Sequence, residues 1–116
     1  MNDIIQNFLL SRFPITGLAA YSIRSPRGVL GGDCFSKSLY PTSTEEMLSR
    51  VVQSGRELLP ANECAVQYCW TFEAHRVYVA SRADGICLAL LVENNPGVQQ
   101  HRLQETLRDF LELQEL

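Results

Sequence analysis

Residues 86–92, ICLALLV, are apolar at every position and follow an Asp84 and Gly85 turn. A run this short, bounded by Asp-Gly, reads as a strand buried on both faces. Such a strand needs a cover on each side of its sheet, because any open face would put Ile86, Leu88, Leu90 and Val92, or Cys87, Ala89 and Leu91, in water. The chain has 116 residues. At that size folding removes about two thirds of the extended surface from water, enough for one layered core without disulfides or metal.

The rest of the pattern supplies the layers. Residues 2–13 place Ile4, Ile5, Phe8 and Leu9 on one stripe of a short helix closed by Pro14. Residues 17–24 (GLAAYSIR) and 29–34 form a hairpin about Ser25, Pro26, Arg27 and Gly28. Gly31 and Gly32 predict a bulge or an edge in its second arm. Residues 43–59 read as a helix, with Ser43 and Glu46 as a capping box and Glu45 favouring the positive end of the dipole. Met47, Leu48, Val51, Val52, Gly55, Leu58 and Leu59 fall on one apolar arc of it. Gly55 interrupts that arc although Gly costs about 1 kcal/mol against Ala in a helix, which suggests a close-packed second partner. Pro60 and Asn62 end the helix.

Three strands follow, at 65–72, 77–81 and 86–92, and residues from Val98 place Leu103, Leu107, Phe110 and Leu111 on one helical face. The first of these strands alternates Val66, Tyr68, Trp70 and Phe72 with Gln67, Cys69 and Thr71, so it is expected at the sheet margin, with 86–92 central. The expected fold is an α/β chain of the α+β type. It is a three-layer α/β/α sandwich around a five-stranded antiparallel sheet, in the order α-β-β-α-β-β-β-α.

Composition narrows the function classes. Lys and Arg number 10 against 13 Asp and Glu, a net charge of −3, which disfavours nucleic-acid partners because such domains present a basic face. Cys34, Cys64, Cys69 and Cys87 lack C-x-x-C spacing and lie in or beside apolar runs, so they read as reduced core residues. Residues 1–10 carry Asp3 and lack the basic and apolar regions of a secretion signal. No run of about 18 apolar residues suggests membrane insertion. The expected location is cytoplasmic, where thiols stay reduced.

Chemistry is sparse. His75 is expected in a hairpin turn and His101 on the polar side of the last helix, and neither has an evident catalytic partner. Cys87 with His75 and Asp84 is the nearest approach to a thiol site, but a thiol embedded in ICLALL is inert. Cys34 after Gly-Gly-Asp reads as packing. Gly28, Gly31 and Gly32 match neither phosphate-loop nor dinucleotide spacing, and no three or four convergent ligands for zinc are apparent. The pairs Glu45 and Glu46, and Glu112 and Glu115, read as helical surface carboxylates that are solvated or serve the dipole. The Tyr68, Trp70 and Phe72 row is either a core face or an interface. An uncovered strand carrying it is also a template for pairing with its own copy.

The element order, the capped helix after the first hairpin, the meander ending ICLALLV, and segments such as ITGLAAYSIRSPRGVLGGD and RVYVASRADGICLALLVENN together resemble the roadblock/dynein light-chain family, a profilin-like fold. The resemblance spans nearly the whole chain and implies one roadblock-like domain over 1–116. It further implies a non-catalytic regulator or platform for a small Ras-like GTPase, some such proteins being motor-associated, with no cofactor or metal. Family members pair the third strand with its copy and pack the helix after the first hairpin against its mate. Carried onto this chain, the implied dimer interface is Leu48, Val51, Val52 and Gly55 with Val66, Tyr68, Trp70 and Phe72, the second chain being a copy or a paralogue. Bulky Tyr68 and Trp70, and residues 31–40, depart from the family pattern. Six arginines, Arg24, Arg27, Arg50, Arg56, Arg76 and Arg82, could assist GTP hydrolysis as trans-acting arginines do, though platform binding is the stronger expectation. The alternative is a profilin-like sensor or chaperone that binds a small ligand or peptide, and a third reading is a cysteine enzyme using Cys34 or Cys87.

Overall fold

A computed structural model describes residues 3–58 and 65–113. Its elements are α1 (Asp3–Arg12), β1 (Leu18–Ser25), β2 (Gly28–Cys34), α2 (Pro41–Leu58), β3 (Val66–Thr71), β4 (His75–Ser81), β5 (Cys87–Glu93) and α3 (Gln100–Glu112). The sheet is antiparallel throughout, in the order β2-β1-β5-β4-β3. The all-apolar β5 therefore lies at its centre, and β2 and β3 are its edges.

Burial of β5 on both faces divides the core in two. Leu88, Leu90 and Val92 face Ile5, Phe8 and Leu9 of α1 and Leu103, Leu107 and Phe110 of α3. Cys87, Ala89 and Leu91 face Leu48, Val51 and Val52 of α2, together with Ala19, Ala20, Val77 and Val79. Side chains on the α2 face are smaller, which suits a layer of one helix, whereas the bulkier opposite face takes two. A bulge in β1 lets adjacent Ala19 and Ala20 join the α2 face, since the register against β5 slips between Leu18 and Ala20.

Local chemistry explains the element ends. The β4–β5 turn has Gly85 at φ +87, a left-handed position suited to glycine, and the Asp84 carboxylate accepts the Ile86 N–H at 3.0 Å. The hairpin arm β2 is an edge, and Leu30 is the extra residue where Ile23 pairs with Gly31 but Arg24 pairs with Val29. The Arg82 guanidinium donates to the Phe110 carbonyl at 2.7 Å and so satisfies the end of α3.

Several expectations are corrected. Helix α2 begins at Pro41, with the Thr44 N–H donating to the Tyr40 carbonyl at 2.9 Å. Pro at the first helical position is favoured because its missing N–H has no helical partner to lose, so Ser43 lies inside the helix and caps nothing. Glu45 is not merely solvated: Arg24 Nη1 lies 2.6 Å from its Oε1, and the buried Ser22 hydroxyl donates to the same atom at 3.2 Å. These contacts tie α2 to β1. His75 is in β4, paired with Glu93, because the β3–β4 connection is shorter than expected. Ile4 and Leu58 are exposed, each lying off the stripe that meets the sheet. Cys69 is also exposed, since β3 turns it away from α2. Leu59, Pro60, Asn62, Cys64 and Glu115 lie outside the described residues.

Leu90 is fully buried in the α1 and α3 layer. Truncation to Leu90→Ala is expected to cost about 2–5 kcal/mol, read as a lower urea midpoint at unchanged slope.

Candidate interaction surface

Strand β3 alternates half-buried Val66, Tyr68 and Trp70 with exposed Gln67, Cys69 and Thr71. The first set turns toward α2, where Tyr68 and Trp70 pack against the Leu48, Val51 and Val52 core. The second set forms an exposed polar strip on the opposite face.

Gly55 explains how the aromatic row is seated. A Cβ built on Gly55 would collide with the Tyr68 ring and hydroxyl. The close partner expected at this glycine is thus the chain's own third strand. Burial pushes the Tyr68 hydroxyl up to about 12, the Cys87 thiol adds to the rise, and the Arg56 guanidinium opposes it. Beyond Tyr68, a shallow groove of about 280 Å³ runs between α2 and β3, lined by Met47, Arg50, Val51, Ser54, Trp70 and Phe72. Phe72 is 42% exposed at its end.

The backbone of β3 has a definite polarity toward its free side. The Phe72 N–H donates to the His75 carbonyl at 2.8 Å, and the register from Val66 to Thr71 against β4 is unbroken. Hydrogen-bonding direction alternates along an antiparallel strand. Trp70, Tyr68 and Val66 therefore face β4 with their N–H and C=O groups, and Gln67, Cys69 and Thr71 direct theirs outward. The edge β2 differs. It carries the Leu30 bulge, Gly28, Gly31 and Gly32, and an exposed Asp33, all features that blunt an edge against pairing.

The architecture matches that of known proteins. A roadblock/LC7 domain from Streptomyces avermitilis superposes with a TM-score of 0.50 at 15% identity, covering 93% of this chain and 94% of that one. The chain has the roadblock/LC7 fold. Myxococcus xanthus MglB is also similar, with a TM-score of 0.48 and 8% identity over 82% of this chain and 75% of that one. No family model matches the sequence, and no curated protein does either.

Within this roadblock/LC7 fold the residues singled out by sequence divide into two groups. Leu48, Val51 and Val52 are 1%, 4% and 1% exposed, so they hold α2 to its own sheet and leave little surface for a second chain. Gly55 is occupied by Tyr68. Val66, Trp70 and Phe72 retain exposure beside the free edge. Sequence reasoning missed Met47, Arg50 and Ser54 as groove residues; Arg50 and Ser54 flank the apolar arc of α2, the signal that could have found them.

The thiol site is not assembled. Cys87 pairs with Ser81 and His75 with Glu93, at opposite ends of the β4–β5 ladder, some 20 Å apart at about 3.3 Å per residue. Asp84 is engaged by Arg82 and the Ile86 N–H. Cys87 is buried, its thiol 3.3 Å from the Ser81 hydroxyl. Cys34 is half-buried, its thiol 3.6 Å from the Ser36 carbonyl. Among the described residues no group of three or more His, Cys, Asp or Glu could hold a metal. No described helix is long and apolar enough to cross a membrane.

The arginines separate in the same way. Arg24 holds Glu45, Arg56 reaches the Gly85 carbonyl, Arg76 lies over the Tyr78 ring, and Arg82 holds Asp84 and α3. Arg50 has no such engagement among the described residues, and it lines the β3 groove.

Two outcomes check the Gly55–Tyr68 contact. Gly55→Ala should destabilise by about 1–3 kcal/mol through overpacking, although Ala is the better helix former by about 1 kcal/mol. In a Tyr68→Ala background the same change should become neutral or stabilising, as read by a double-mutant cycle from urea unfolding. Because the folded Tyr68 value of about 12 exceeds its ordinary value of 10.0, its contribution is fully present below pH 10 and is lost as pH rises toward 12. Tyr68→Phe should therefore flatten the alkaline decline in stability. Tyr21, also raised by burial and by Asp33, leaves a remainder.

Proposed function

We propose that the chain is a single roadblock-like domain acting as a non-catalytic homodimeric platform that binds or regulates a small Ras-like GTPase in the cytoplasm. The observation that carries self-association is the asymmetry of the two sheet edges. Strand β3 is six residues long, without charge, glycine or proline, and among the described residues its outward N–H and C=O groups have no strand beside them. Strand β2 is bulged and glycine-rich. An uncharged, regular edge is an aggregation liability unless a partner covers it, and a two-fold copy covers it in a closed assembly that cannot grow further.

The half-exposed groove beside β3 supports the same face. A second copy continuing the sheet would cover Trp70 and Phe72 and bring the two α2 helices near each other, with Met47, Arg50 and Ser54 at the seam. The burial of Leu48, Val51 and Val52 moves the helical contribution to these three residues. The GTPase follows from the family resemblance, and Arg50 is the arginine best placed to meet a partner beside the groove.

Light scattering after size exclusion tests the first step. Wild type is expected to be a dimer at micromolar concentration. Cys69→Pro should be a folded monomer, because the Cys69 N–H points outward and its loss spares the β4 ladder. Trp70 is the single tryptophan, so dilution should red-shift its emission in wild type and not in Cys69→Pro. A monomeric wild type would refute the dimer and favour the ligand-binding alternative. The second step is calorimetry against a panel of purified Ras-like GTPases in GDP and GTP forms. At least one should bind with a nucleotide-dependent affinity, and a dimer that binds none would refute the GTPase assignment.

A further inference from the structure

Resting on the reading of β3 as a self-pairing edge, we propose that two copies join in one register, with the two-fold axis passing between their Cys69 residues. The alternation of side chains and of backbone groups along this strand, together with its length, leads to that register. Residues directly opposite in an antiparallel pair point to the same face of the sheet, and a two-fold axis normal to the sheet keeps each face continuous across the junction. A residue of one copy can then stand opposite only a member of its own alternating set, Val66, Tyr68 and Trp70 or Gln67, Cys69 and Thr71. Registers that set Tyr68 against Cys69 are excluded, and the axis must pass at a residue facing its own copy.

The backbone groups alternate in step with the side chains. Gln67, Cys69 and Thr71 hold the outward N–H and C=O groups, as fixed by the Phe72 to His75 hydrogen bond and the unbroken β3–β4 register. With the axis at Cys69, Gln67 faces Thr71 of the second copy, Cys69 faces its equivalent, and every outward group within Val66–Thr71 finds a strand partner. With the axis at Tyr68, Thr71 must pair with Ala65, outside the strand. With the axis at Trp70, Gln67 must pair with Glu73 in the β3–β4 turn. An axis at either end of β3 pairs still less of it. Unpaired N–H and C=O groups at a buried junction are costly, so the Cys69 register is favoured.

The same register organises the aromatic row. Tyr68 stands opposite Trp70 of the second copy and Val66 opposite Phe72, as non-hydrogen-bonded pairs in which side chains come closest. Each copy thereby extends the wall of the other's groove beside Trp70 and Phe72. On the other face, the two exposed Cys69 side chains lie side by side, with Cα atoms about 5.5 Å apart as in any hydrogen-bonded antiparallel pair.

The test uses the full chain and dibromobimane, a short bis-thiol reagent, because Cβ atoms of such a pair are about 5 Å apart, wider than a relaxed disulfide prefers. Wild type should give a covalent dimer on a denaturing gel, and Cys69→Ser should lose it. In the Cys69→Ser background, Gln67→Cys and Thr71→Cys should each fail to bridge alone and should bridge when the two proteins are mixed. Preferential bridging of wild type with the Gln67→Cys protein would place the axis at Tyr68. Preferential bridging with the Thr71→Cys protein would place it at Trp70. Either result overturns the register and leaves β3 pairing standing. A dimer by light scattering that gives no bridge in any of these combinations overturns β3 pairing as well, and a monomer overturns the dimer altogether.

Discussion

Every layer of this fold is placed by the fact that β5 has no polar face to offer water. Cys87, Ala89 and Leu91 point one way and Leu88, Leu90 and Val92 the other, and all are essentially without exposure. A strand of this kind has to be central and covered twice. The three side chains on a face would each forfeit a share of the stabilisation that burial provides, about 1.5–3 kcal/mol for a leucine or valine, if the helical layer over that face were absent. The flanking strands β1 and β4 follow by hydrogen bonding, and the edges β2 and β3 are what remains. The surface available to a partner is therefore the residue of a packing problem solved at the centre.

The two helical layers are attached by different means. On one side α1 and α3 bury large side chains, Phe8 and Phe110 among them, with ring centroids 6.2 Å apart. On the other, α2 meets a surface of alanines and valines and is further located by Glu45, which joins the Ser22 hydroxyl and the Arg24 guanidinium of β1. Arg24 is 14% and Glu45 36% exposed. In that half-buried setting the bond gains more from geometry than from net Coulomb energy, since desolvation offsets much of the attraction. Its effect is to fix the rotation of α2, and hence which of its residues face the core and which line the groove beside β3.

The order of elements along the chain, the central place of β5 and the marginal place of β3 were legible in the sequence, because a strand apolar on both faces has to be covered twice and an alternating one does not. The start of α2 was not. Ser43 and Glu46 have capping-box spacing, but Pro41 competes for the first helical position and its fixed φ decides the matter. Tyr68, Trp70 and Phe72 were legible as one row, yet alternation cannot say whether an aromatic face meets its own helix or another chain. The structure divides them: Tyr68 covers Gly55, while Phe72 stays open at the groove's end. Glycine at 55 was visible as an anomaly in a helix, and only tertiary packing reveals that it is a seat for a ring. Cys69 was read as core from its apolar neighbours, although period-two alternation with Tyr68 and Trp70 already places it on the opposite face.

The difference between the two edges ties these points together. A five-stranded sheet of this order always has two free edges, and an uncontrolled pairing of β2 with β3 of another copy would be heterologous and open-ended. Here β2 carries a bulge, three glycines and Asp33, so its hydrogen-bonding row is interrupted. The β3 row is regular and uncharged. Such an arrangement disfavours head-to-tail growth while leaving one edge competent for symmetric closure. Because side chains and hydrogen-bonding groups alternate together along a strand, Gln67, Cys69 and Thr71 carry both the exposed polar side chains and the outward backbone groups of β3. The apolar set remains with α2. The edge that keeps an intact hydrogen-bonding row is thus also the edge whose apolar side chains are already anchored on their own helix.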